Sequence, residues 1–114
     1  MKTEFVNVAR LSDLKQGRGI VIPFRDVGVE VALFRLGDTC VAINNICPHE
    51  HTPGLADGPV KHGYVTCPMH GWMFNLATGT VINGAKGVAT YRVRVEGNTV
   101  SVEQPEEVRP SWSV

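Results

Sequence analysis

Two short stretches hold the side chains best suited to chemistry: Cys47-Pro48-His49 and, after seventeen intervening residues, Cys67-Pro68-Met69-His70. Two thiols and two imidazoles in close pairs are ligand types for zinc or iron, while a site poor in carboxylates does not suit magnesium or calcium. Two arrangements answer to them. A closed tetrahedral zinc site takes two cysteines and two histidines, but it usually draws the cysteine pair from one loop and the histidine pair from a helix. Here each loop offers one of each. Residues two apart in extended chain have Cα atoms roughly 6–7 Å apart, from about 3.3 Å of rise per residue, so one loop could serve two different metal atoms. A two-iron cluster answers to that geometry if the cysteines, Cys47 and Cys67, hold one iron and the histidines, His49 and His70, the other.

Such loops need a rigid frame, and the rest of the chain reads as short strands. Twelve glycines and seven prolines punctuate β-rich runs, and no segment sustains a 3.6-residue apolar period. The expected strands are 5–9, 19–24, 29–35, 39–44, 64–66, 73–75, 81–82, 91–95 and 99–102. Tyr91, Val93 and Val95 alternate with Arg92 and Arg94, and Gly97-Asn98 supplies the turn of a hairpin. Leu36-Gly37-Asp38-Thr39 marks a second hairpin. Ser12 is the expected cap of one helical turn over 12–15. The fold class is all-β, an antiparallel sandwich or small barrel.

Composition limits what such a frame could do. The chain of 114 residues suffices for one modest core. Eleven basic residues balance eleven acidic ones, which removes the charge excess that phosphate-backbone binding requires, so nucleic acid is not an expected partner. No apolar run reaches transmembrane length and the first residues do not form a secretory signal, so the expectation is a cytoplasmic protein with no membrane partner. Three cysteines are an odd number for a disulfide framework. The third, Cys40, lies in an apolar run and reads as a small buried hydrophobe. His51 and His62 read as solvated loop residues, and Trp112 as a packing anchor in the tail.

The pattern C-x-H-x17-C-x-x-H, carried by CPH and CPMH with Gly71 and the Trp-Met-Phe-Asn-Leu-Ala-Thr-Gly run behind it, resembles that of Rieske [2Fe–2S] proteins. The resemblance implies a Rieske domain over 1–104, with a small cluster-binding subdomain at about 45–76 inserted in the β scaffold and a C-terminal extension over 105–114. It implies one [2Fe–2S] cluster per chain on Cys47, His49, Cys67 and His70. Pro48 and Pro68 then stiffen the ligand loops. The loops CPHEHTPGLADG and VTCPMHGWMFNLATG resemble those of the small subunit of NAD(P)H-dependent nitrite reductase, which works beside a large subunit. The alternatives are a Rieske ferredoxin between a reductase and an aromatic-ring dioxygenase, whose loops often read Cys-Thr-His, and a zinc-stabilised binding module. The chain has no dinucleotide fingerprint and no nucleophile motif, so it reads as an electron-transfer component rather than a complete enzyme.

Overall fold

The computed structural model describes residues 4–25, 27–47, 52–68, 71–81 and 87–105, and of Cys47, Thr52 and Pro53 the backbone only. Twelve strands are present among them: β1 Phe5–Arg10, β2 Gly19–Phe24, β3 Val29–Leu36, β4 Thr39–Asn44, β5 Ile46–Cys47, β6 Thr52–Pro53, β7 Val60–Lys61, β8 Tyr64–Thr66, β9 Met73–Asn75, β10 Thr90–Tyr91, β11 Val93–Glu96 and β12 Thr99–Glu103. Single 3-10 turns occupy Leu11–Asp13 and Leu55–Asp57.

β3 explains how the layers assemble. Its central residues Val31, Ala32, Leu33 and Phe34 are all fully buried, so the strand is covered on both faces. Val31 and Leu33 join a core with Leu14, Phe24, Val29, Cys40, Ala42, Val100 and Val102. Ala32 and Phe34 join a second core with Ile43, Leu55, Ala56, Val65, Cys67, Phe74, Leu76 and Val81. The four-stranded sheet β10-β4-β3-β2 thus forms the middle layer. The three-stranded sheet β1-β12-β11 packs on one side, and the segment from β5 to β9, with its own two small sheets β5-β6 and β7-β8-β9, packs on the other. Each large side chain sealed in these cores contributes about 1.5–3 kcal/mol relative to an exposed one. The second core therefore fastens the Cys/His loops to the scaffold.

Among the described residues the twelve strands pair antiparallel throughout, and one isolated bridge, Gln16↔Arg35, is parallel. β3 and β4 pair from Val31↔Asn44 to Leu36↔Thr39, the hairpin expected at Gly37-Asp38. β11 and β12 pair from Val93↔Val102 to Glu96↔Thr99 around Gly97-Asn98. Pro23 sits in β2, an outermost strand, where the missing N–H costs no ladder bond.

Three expectations change. The run 91–95 is two strands, because Tyr91 pairs with Ala42 in the middle sheet while Val93 pairs with Val102 in the outer one. Arg92 is the crossing point, its N–H donating to Glu103 Oε1 at 2.8 Å. Ser12 does not cap a helix: it lies inside the 3-10 turn 11–13, and its N–H and Oγ pair with the Asn98 side chain at 2.9 and 3.0 Å. The 81–82 strand reduces to a single bridge, Phe74↔Val81, and Ile82 lies outside the described residues. Trp112 also lies outside them.

Candidate metal centre

The second Cys/His loop is the turn of the β8–β9 hairpin. Thr66 pairs with Met73, and the Cys67 N–H donates to the Trp72 carbonyl at 2.7 Å, closing the loop at its neck. A second bond runs from the Gly71 N–H to the Cys67 carbonyl at 2.9 Å. Gly71 has φ +72°, and a β-carbon there would meet nothing within 4 Å. The glycine is thus required by the left-handed backbone and not by crowding. Cys67 is 2% exposed and packs with Val65 and Phe74. Half-buried Trp72 leans on the buried Phe74 with ring centroids 6.5 Å apart, an aromatic pair that supports the loop.

The first loop is held differently. β5 and β6 pair at Ile46↔Pro53 and Cys47↔Thr52. Asn45, just ahead of this pair, is 2% exposed and fixes both ends. Its Oδ1 accepts the Ala56 N–H at 2.7 Å, and its carbonyl accepts the N–H groups of Gly54 and Leu55, each at 3.2 Å. On the scaffold side its N–H donates to the Glu30 carbonyl at 2.9 Å and its Nδ2 to the Glu30 carboxylate at 3.1 Å. A buried amide stripped of such partners costs about 1–3 kcal/mol for each group left unsatisfied, so this arrangement is strongly specified. Asn44 adds a second brace: its Oδ1 accepts the Ile46 N–H at 2.8 Å while its Nδ2 donates to the Tyr91 hydroxyl at 3.3 Å. Burial pushes the Tyr91 phenol above its ordinary range, the Asn44 bond lowers it in part, and Glu103 raises it further.

Asn44 and Asn45 were not legible as site residues. The one available signal was their position, two amides in a row between the apolar strand 39–44 and the Ile-Cys-Pro-His run.

The segment that leads into β7 packs closely on β8, just before the second loop. The Thr66 N–H donates to the Pro59 carbonyl at 3.0 Å, and a β-carbon on Gly58 would stand 2.2 Å from the Thr66 carbonyl oxygen. Cys47 ends β5 and Cys67 follows the last residue of β8, each at the start of its Cys/His stretch. His49 and His70, like His51, Pro48 and Met69, lie outside the described residues, and among the described residues no group of three or more histidine, cysteine or acidic side chains is gathered. The donor chemistry and the burial of Cys67 fit a thiolate-ligated iron centre. The remaining candidates are ordinary. His62 is an exposed turn residue with φ +53°, paired with Gly63 in the two-residue turn of the β7–β8 hairpin. Leu55 is fully buried in the second core. Cys40 is the buried hydrophobe expected, its thiol pushed up by burial and partly drawn back by Arg35.

Known proteins agree with this frame. The chain is 30% identical over 99 residues to the 3-phenylpropionate/cinnamic acid dioxygenase ferredoxin subunit of Escherichia coli K12, spanning 84% of this chain and 90% of that one. Among solved structures it superposes on the ferredoxin of carbazole 1,9a-dioxygenase from Nocardioides aromaticivorans with a TM-score of 0.77 at 32% identity, covering 86% of this chain and 95% of the other. It superposes on a Mycobacterium tuberculosis protein proposed to be an NADH-dependent nitrite reductase small subunit with a TM-score of 0.83 at 25% identity, covering 92% and 98%. The profile of the Rieske [2Fe-2S] domain matches residues 4–102. With loops, layers and relatives in accord, the chain belongs to the Rieske [2Fe–2S] domain family, and its cofactor is a Rieske-type cluster rather than a zinc ion.

Proposed function

We propose that Cys47 and Cys67 hold one iron of the cluster and His49 and His70 the other, and that the chain passes single electrons between protein partners as the small subunit of a nitrite reductase. When bound, the cluster supplies a one-electron couple. The protein supplies placement. Cys47 ends the strand β5 and the buried Cys67 follows β8 at the neck of a second hairpin, and these two positions are the observation that supports the ligand assignment. The second core packs tightly around Leu55, Val65, Cys67 and Phe74, which flank the two Cys/His stretches, and so suits a centre whose charge changes while its frame stays still. Residues 1–104 would form the cluster domain and 105–114 an extension beyond it.

The partner assignment rests on Cys-Pro-His and the Gly71-Trp72 pair, together with the likeness to the nitrite reductase structure. The higher identity to the carbazole dioxygenase ferredoxin favours a second reading, a carrier between a reductase and an oxygenase. Affinity capture of the holoprotein from its native cells separates them. Recovery of a sirohaem-containing large subunit supports the first reading, and stimulation of reductase-to-oxygenase electron flow with no such subunit replaces it by the second.

A further inference from the structure

Asn45 needs an acceptor for its Nδ2, and a neutral one would serve, yet the position opposite carries a carboxylate. We propose that Glu30 is a positioning residue for the first ligand loop and that its negative charge holds the reduction potential of the cluster down. The inference rests on the Rieske reading above. Glu30 is joined to Asn45 twice, through its main-chain carbonyl and through Oε1. Asn45 in turn holds Gly54, Leu55 and Ala56 at one end of the loop and stands two residues before Cys47 at the other. A displacement of Glu30 therefore reaches both ends of the loop through one buried amide.

The charge adds a second effect. Glu30 is half-buried at the wall of a cleft of about 570 Å³ formed with Val21, Pro23, Phe24 and Arg25. Arg25 lines the same cleft, but among the described residues no cation forms an ion pair with Glu30. A carboxylate without such a partner in a partly desolvated setting exerts more field than one on the open surface. The reduced cluster carries one more negative charge than the oxidised one, so a fixed negative charge on the scaffold side disfavours reduction.

Three variants of the holoprotein test this. E30Q keeps an acceptor for Asn45 Nδ2 and removes the charge, so the midpoint moves positive while iron content stays at the wild-type level. N45D faces one carboxylate with another and accelerates iron loss several-fold. E30Q/N45D returns a donor to face the new carboxylate and restores the net charge of the pair, so iron retention recovers and the midpoint moves back toward wild type. E96Q, at a 75% exposed side chain on the β11–β12 hairpin, serves as the control for net charge and leaves the midpoint in place. An unmoved or more negative midpoint in E30Q, an equal shift in E96Q, or a double variant that loses iron as fast as N45D overturns the proposal. A wild-type protein that never holds iron and sulfide overturns the Rieske reading instead.

Discussion

Replacing Gly58 by alanine tests whether the second Cys/His loop depends on the close packing of the segment before β7 against β8. Gly58 has φ −73° and ψ 149°, a conformation open to any residue, so the substitution adds no backbone strain. It adds a contact. The new β-carbon would stand 2.2 Å from the Thr66 carbonyl oxygen, 2.9 Å from Val65 Cγ2 and 3.2 Å from the Leu55 carbonyl oxygen. Ordinary contact begins near 3.4 Å, so residue 58 and β8 must part by more than 1 Å. The closest atom is backbone, which leaves no flexible side chain to absorb the shift. Overpacking of this kind costs about 1–3 kcal/mol, and the Thr66 N–H to Pro59 bond that bridges the same gap accounts for about 1 kcal/mol more if it breaks. The stiffer unfolded chain offsets about 0.4–1 kcal/mol. A net loss of about 2 kcal/mol corresponds to a fall of roughly 6–12 °C in Tm for a domain of this size. Because Cys67 follows Thr66 directly, iron content should fall as well. Gly97→Ala is the control: φ is +60°, nothing lies within 4 Å of the added carbon, and the turn belongs to the outer sheet, so Tm falls by strain alone while iron content holds. Differential scanning calorimetry and iron assays on both variants check this. If Gly58→Ala keeps the wild-type Tm and iron content, the second loop does not rely on that packing.

Two further outcomes follow from particular side chains. Trp72, Met73 and Phe74 bring no hydroxyl behind Gly71, and no cysteine other than Cys47 and Cys67 lies in the loops to form a disulfide, so fewer donors reach the cluster sulfurs and the midpoint should fall near roughly −150 mV at the low end of the Rieske range; a potentiometric titration with a clearly positive midpoint contradicts this. Burial raises the Cys40 thiol, with Arg35 opposing, so the folded state prefers the neutral form. The stability this contributes is complete below the unfolded thiol value of about 8.5 and is lost as pH rises through the higher folded value. Cys40→Ala should therefore flatten the decline of denaturant midpoints between neutral and strongly alkaline pH, and an unchanged slope rejects it.

Much of this architecture could be read from the chain because local signals and burial agree. Alternation of Val and Arg around Gly97-Asn98 predicts the last hairpin, and the apolar run at 29–35 predicts β3, since a strand covered on both faces needs no polar alternation. The ligand types declared themselves by spacing. What stayed hidden depends on partners remote in sequence. A period of two does not reveal that Tyr91 and Val93 pair in different sheets, because alternation continues across the crossing at Arg92. Ser12 looked like a cap because Ser-Asp before a leucine fits one, but Asn98, 86 residues away, takes its hydrogen bonds. The two-residue strands β5, β6 and β7 are too short to carry a periodic signal. Asn45 shows the same limit most clearly, since its role exists only once Glu30 and Ala56 come to it from separate elements.

The most direct test of the central claim is the metal and sulfide content of the natively purified protein, read with EPR after reduction. The account predicts two iron atoms and two acid-labile sulfides per chain and the signal of a reduced two-iron cluster with unequal ligation, all abolished together in Cys67→Ala. A single zinc ion per chain without sulfide, or a full cluster retained in Cys67→Ala, would contradict it.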